Sequence, residues 1–399
     1  MTPLTAIYTL TSALHDEASV AADTHNFLNS LNIDHTLRLA DYSDYGSHAL
    51  DLIYVRTGGT EGIFRQLLPQ LRRQLGRPFF LLTSGKSNSL AASMEILSYL
   101  KQNGLEGEII HGDEGYIRHR LGLLAQVGQA RRRLATMRLG IIGEPSDWLI
   151  SSTTDKQAVK ERMGITLQDI GMEELLAEIE STPAEGASAE QAPTDAIRQA
   201  LPGAERIYRA LKSLIGRHHL QGFTLRCFDL LTAVKNTGCL ALARLNAEGY
   251  VAGCEGDVPA MLSMAMVRSL FGTSGFQANP ARINPKTGEM LFAHCTIPLD
   301  MVERYEHDTH FESGIGVGIR GFMSEGPVTI FKASPELKRH FCAEATLLAC
   351  QGEAGLCRTQ MRIKLDNPAD ASYFLKSPIG NHHIILPGHH RHLLDELMA

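Results

Sequence analysis

Apolar and polar positions follow two rhythms in the first third of the chain. Short apolar runs at Leu4–Leu10, Asp51–Arg56, Pro78–Thr83 and Glu108–His111 read as buried strands. Between them, Glu17–Leu31, Glu61–Leu75 and Ser89–Lys101 space their apolar residues as helices do. Strand and helix in alternation predict a parallel, doubly wound sheet of flavodoxin-like kind. A long helix over Glu114–Met137 leads into a second unit of the same rhythm. Its strands are expected at Arg138–Gly143, Gly164–Ile170, Phe223–Phe228 and Tyr250–Cys254, and its helices at Met172–Glu180 and Asp195–Ile215. The small, polar stretch 181–194 reads as a solvent loop.

After Gln277 the texture changes. Met290–Cys295, Gly314–Phe322, Val328–Ala333 and Gln360–Leu365 are short strand candidates without long helices between them. That is the pattern of an antiparallel barrel or sandwich. The expected architecture is therefore α/β: two doubly wound, flavodoxin/Rossmann-like domains (residues 1–137 and 138–275) and a C-terminal, mainly antiparallel β domain (276–399). The chain closes on a His-rich turn, a strand and a terminal helix.

The most informative point is the end of the Tyr250–Cys254 strand, where two acids follow, Glu255 and Asp257. Asp257 sits where an N-cap belongs, Pro259 lies just inside a strongly apolar helix, and Gly272 ends it. Open α/β sheets bind ligands beyond the carboxyl ends of their strands. Two carboxylates there should hold something polar, with a metal as the leading candidate. Three other places concentrate suitable side chains: Phe292–Thr296 with His294, the run Glu306–Glu312, and Gly380–His383. Singly, each is an ordinary structural or surface feature. Together, carboxylate and imidazole donors suit a divalent ion such as Mn²⁺, Co²⁺ or Zn²⁺.

Composition narrows the alternatives. With 399 residues, a net charge of −6 and 44% hydrophobic residues, the chain is globular and carries no basic stripe for nucleic acid. No apolar run is long enough to cross a membrane and the N-terminus lacks a signal-like pattern, so a cytoplasmic location is expected. The seven cysteines all follow residue 226 without C-x-x-C spacing, which predicts buried, reduced thiols rather than a zinc knot. Gly316–Gly321 matches G-x-G-x-x-G, but strand-like sequence follows it instead of a helix, which argues against a dinucleotide site. The turns Thr57–Glu61 and Thr83–Ser89 lack Walker spacing; they are ordinary α/β turns or ligand loops.

Glu255-Gly256-Asp257, Asn381-His382 and the following Ile384–Leu386 and Gly388-His389 resemble the L-fucose isomerase/L-arabinose isomerase superfamily, in its shorter fucose-isomerase-like branch. The resemblance implies a metal-dependent aldose–ketose isomerase with two α/β domains and an antiparallel domain. It implies metal ligands at Glu255, at the position 24 residues further on, which here is Asn279, and at His382. Glu255 and Asp257 would be catalytic, and the metal is expected to be Mn²⁺. His294, Thr296, Asn381 and His383 would contact sugar. The family's oligomeric habit implies that Gly59 and Asn88, in the first domain's loops, close a neighbour's site. Asn279 departs from the pattern, because a carboxamide can ligate through oxygen but cannot accept a proton as a base. Two other readings therefore stand beside the isomerase: a sugar-binding or regulatory homologue without catalysis, and a metal-dependent lyase or aldolase on the same site.

Overall fold

The computed structural model describes residues 4–72, 78–183 and 192–399. Residues 184–191 of the expected polar loop and the end of the expected Glu61–Leu75 helix lie outside these. The chain forms two compact units, Met1–Arg132 and Arg133–Ala399. In the first, β1 (Thr5–Leu10), β2 (Thr36–Leu39), β3 (Leu50–Val55), β4 (Phe79–Leu82) and β5 (Gly107–Ile110) form a parallel sheet ordered β2-β1-β3-β4-β5. The central β1 and β3 are buried along their whole length, as strands covered by helices on both faces must be.

The second unit begins with another parallel sheet. Its strands β6 (Arg138–Ile142), β7 (Thr166–Ile170), β8 (Gly222–Leu225) and β9 (Val251–Cys254) are ordered β7-β6-β8-β9. Next come β10 (Phe276–Ile283), β11 (Glu289–His294), β12 (Arg304–Asp308), β13 (Gly318–Phe322), β14 (Gly326–Ala333), β15 (His340–Cys350), β16 (Thr359–Leu365) and β17 (His383–Pro387). Six of these close an antiparallel barrel in the order β10-β11-β16-β15-β14-β17, while β12 and β13 pair with each other. The α/β class with a C-terminal antiparallel part is thus as expected. No helix among the described residues is long and apolar enough to cross a membrane.

Sheet and barrel are joined by the Val258–Phe271 helix, whose residues are almost all buried. A helix apolar all round must be covered on every side. It packs against β9 and β8 on one side and against β14 and β17 on the other. Its start is fixed chemically: the Asp257 carboxylate accepts the Ala260 N–H at 2.7 Å, Pro259 occupies the first turn, and Gly272 closes the helix in a left-handed conformation.

Several barrel strands were not legible beforehand. β15 reads HFCAEATLLAC, rich in residues that favour helix, yet it pairs along its length with β14 and β16. β10 contains Pro280, and its pairing with β11 shifts register directly after it, between Pro280 and Arg282, as strands interrupted by proline commonly do. The Gly316–Gly321 segment opens strand β13 and no helix follows it, in keeping with the argument against a dinucleotide site. All seven cysteines are free thiols; five are buried, and Cys350 and Cys357 are half-buried.

Candidate metal centre

Where β9 ends, the backbone turns through two left-handed residues, Glu255 (φ 64°) and Gly256 (φ 70°). A side chain on Gly256 would stand 2.5 Å from the Glu144 carbonyl oxygen, so only glycine fits. A non-glycine residue held at positive φ costs about 1–3 kcal/mol and persists only where the surroundings fix it. Here the Glu255 carbonyl accepts the Ser146 N–H at 3.0 Å, and the Gly256 N–H donates to Leu225 at 2.9 Å. Gln277 of β10 adds a clamp, accepting the Cys254 N–H at 2.9 Å and donating to the Cys254 carbonyl at 3.3 Å. The turn directs the Glu255 side chain into a buried polar pocket.

Two imidazoles meet it there. His294 ends β11, and His382 immediately precedes β17. Their Nε2 atoms lie 3.6 Å and 3.3 Å from Glu255 Oε1. All three residues are buried, and one donor atom from each lies within 4.8 Å of the others. Trp148 occupies the other carboxylate oxygen, its indole N–H donating to Glu255 Oε2 at 2.7 Å. His382 Nδ1 donates to Asp257 Oδ2 at 2.8 Å, so the carboxylate that caps the helix also orients this ring. Beyond Asp257 stands Lys332, with Nζ 3.6 Å from Oδ1.

These residues fit a divalent cation. Ligands about 2.1 Å from a tetrahedrally surrounded ion stand about 3.4 Å apart, which is the spacing of the Glu255–imidazole pairs. His382 Nε2 is buried without a hydrogen-bond partner, although its Nδ1 is well served. A buried polar nitrogen left unpaired beside a carboxylate is what a metal ligand looks like without its ion. The carboxylate–histidine pairing of Asp257 with His382 is the usual outer support of such a ligand. A second group, Glu344, Asp366 and His389, is more exposed, and His389 is already committed to Asp366 at 3.2 Å and to the Ala345 carbonyl.

Electrostatics agree with the geometry. Burial alone would raise the Glu255 pKa, but the charge of His382 and the neighbouring His294 imidazole outweigh it and hold the carboxyl well below the usual range. For Asp257 burial is again opposed, by Lys332 first and then by His382, leaving a pKa of about 2. His382 is pushed up to about 9, since Glu255 and Asp257 overcome the burial penalty, whereas burial lowers the pKa of His294. A free imidazole titrates near about 6.5. The His382 interactions therefore stabilise the metal-free fold fully below that pH and are lost as pH rises through about 9. The Tm of metal-stripped protein is expected to fall across this window, and to fall less in His382→Gln. Equal slopes in a thermal melt series would contradict the arrangement.

The other expected contacts distribute differently. Asn279 is half-buried in β10, paired in register with Ala293, one residue before His294. Alternation puts it on the face of β10 that Gln277 uses. Thr296 donates to the Cys239 carbonyl at 2.8 Å, a structural bond. His383 faces away from His382: Nδ1 donates to the Asn381 carbonyl at 3.0 Å and Nε2 accepts from Tyr373, among Phe341 and Phe374. Asn381 itself is exposed. Gly59 and Asn88 lie beyond β3 and β4 in the first unit, both with positive φ. From the Glu306–Glu312 run, His310 is buried against Phe228, which in turn meets Trp148 edge to face. Trp148, Gln277 and Lys332 went unassigned in the sequence. A lone lysine inside the apolar Val328–Ala333 strand was the available signal for the last.

A parallel sheet whose terminal strand delivers a carboxylate to histidines from a β-barrel defines an α/β protein with a candidate metal centre at the strand end. The L-arabinose isomerase central domain family matches residues 150–271. The chain is 23% identical over 287 residues to a sulfoquinovose isomerase of Alkalicoccus urumqiensis, covering 67% of this chain and 62% of the relative. It is 21% identical over 262 residues to a sulfoquinovose isomerase of Priestia aryabhattai, covering 62% of this chain and 59% of that protein. An L-arabinose isomerase of a Nocardioides species is 27% identical over 160 residues, 37% of this chain and 32% of its own. The chain thus spans about three-fifths of the length of the first two curated relatives. With the fold, these likenesses support an arabinose/fucose isomerase-like superfamily as the group this chain resembles.

Proposed function

We propose that this protein is a metal-dependent aldose–ketose isomerase acting on a free sugar, with Glu255, His294 and His382 as the metal ligands. The observation that carries the reading is the convergence of three buried donors on one point, with His382 backed by Asp257. A bound divalent ion, Mn²⁺ by preference, would supply Lewis-acid polarisation of the sugar's carbonyl and hydroxyl oxygens. The protein's residues do the rest. Trp148 fixes the rotamer of Glu255 and leaves Oε1 to the ligand set. Asp257, fully buried and engaged by Ala260, His382 and Lys332, acts as a positioning residue. Isomerisation moves a proton between adjacent carbons and needs a group to carry it. Glu255 is held ionised for that work. Glu312 can act as a second acid, since partial burial and the charge of Glu255 raise its pKa. The Trp148–Phe228–His310 wall offers an apolar face for the C–H side of a pyranose or open-chain sugar.

With His294 as the third donor, Asn279 in place of an acid removes no necessary ligand, which favours catalysis over the binding-only reading. Substrates of the arabinose, fucose and sulfoquinovose kinds are the ones to try. Oligomerisation, with Gly59 and Asn88 meeting a neighbour's site, and a cytoplasmic location belong to the same proposal. The test is chelator-stripped protein assayed against L-arabinose, L-fucose and sulfoquinovose, with and without Mn²⁺. Ketose formation restored by the metal is expected. Metal binding without turnover would leave a sugar-binding protein, and carbon–carbon cleavage would make it a lyase.

A further inference from the structure

Lys332 lies in β14, is 1% exposed, and its Nζ has no hydrogen-bond partner. Burying an ammonium is costly unless a counter-charge compensates it. The charged group beside it is Asp257, with Oδ1 3.6 Å away. Oδ1 of that carboxylate is also the atom that caps the Val258–Phe271 helix, while Oδ2 receives the His382 Nδ1–H. A line of interaction thus runs from the barrel wall to the ligand set: Lys332, Asp257, His382, and then the point shared with Glu255 and His294. We infer that Lys332 is a positioning residue of the metal centre, which holds the Asp257 carboxylate in the orientation that presents His382 Nε2 to the ion. The inference rests on the proposed Glu255–His294–His382 site.

The geometry gives Lys332 no other task. Its ammonium is too deeply buried to meet substrate, and Ala333, its neighbour in sequence, is pinned to the same helix by donating its N–H to Ser263 at 3.0 Å. Without the cation, the Asp257 carboxylate would be held only by the Ala260 N–H and by the very ring it orients. Losing an outer-shell support of this kind typically weakens metal binding by about 10- to 100-fold.

The test is calorimetric titration of the metal-stripped full chain with Mn²⁺, for wild type, Lys332→Met, Lys332→Arg, Asp257→Asn and the double variant Lys332→Met/Asp257→Asn. Lys332→Met is expected to bind about 10- to 100-fold more weakly. Lys332→Arg, which keeps the charge, should recover most of that loss; a merely space-filling role would not distinguish Arg from Met in this direction. In the Asp257→Asn background, adding Lys332→Met should change affinity by less than about 3-fold, because the residue acts through the carboxylate. Wild-type affinity in Lys332→Met, or a full additional loss in the double variant, would overturn the inference. If Lys332→Met does not fold, the double variant, which removes both buried charges, is read against Asp257→Asn. Wild-type protein that binds no Mn²⁺ would instead bring down the site itself.

Discussion

Glu255→Gln is expected to abolish turnover and to weaken Mn²⁺ binding by at least about 100-fold. That exceeds the loss from an outer-shell change, because a ligand and its charge are both removed. Glutamine preserves shape and can still accept the Trp148 N–H, so the strand-end turn should survive, and the Tm of the metal-free protein should fall only by the loss of the charge pairing with His382. The readout is built in. Trp148 is the only tryptophan in the chain and donates directly to Glu255, so a metal titration followed by its fluorescence reports events at the carboxylate. Wild-type emission should shift on adding Mn²⁺, and Glu255→Gln should not respond at micromolar metal. If the variant isomerises sugars at wild-type rates, the end of β9 is not the catalytic centre.

The second large effect separates two candidates for the third donor. His294→Ala should lower Mn²⁺ affinity by roughly two orders of magnitude, since it leaves two ligands where catalytic sites use three. Asn279→Asp should bind Mn²⁺ at least as tightly as wild type and retain turnover, because a carboxylate on that face of β10 adds negative charge near the cation. The opposite outcome, with His294→Ala binding normally and Asn279→Asp or Asn279→Ala altering affinity sharply, would return the ligand role to position 279. It would reduce His294 to a substrate contact. Calorimetry on the stripped proteins decides between them.

How much of this was legible in advance follows from what each signal depends on. Glu255 and Asp257 were readable because a buried parallel strand, an N-cap and a helix are local patterns, and chemistry at strand ends follows from topology alone. The His382/His383 choice was also open to reasoning: adjacent residues face opposite ways, and only the packing of His383 among Tyr373, Phe374 and Phe341 shows which one turns inward to the aromatic core. The metal role proposed for His294 was hidden, because it depends on the register of β11 in a barrel whose strands β10 and β15 were not recognised. Pro280 and the helix-favouring composition of β15 masked them. Lys332 and Gln277 reach the site only through tertiary contacts, and no spacing rule connects residues brought together by barrel closure.

That closure has a kinetic consequence. β17, the last strand of the chain, pairs with β10, the first of the barrel, and so completes the ring beside the ligand set. Glu255 ends β9, which pairs with β8 a short way back in sequence, but His382 arrives only when the final strand docks between β10 and β14. Such long-range closures come late, because the entropy of ordering the intervening chain is lost before the contacts form. The ion therefore has no complete site to bind until the ring is shut. Added metal should slow unfolding of the finished protein and leave the rate of reaching it unchanged, so that the cation acts as a latch on the barrel instead of a template for it.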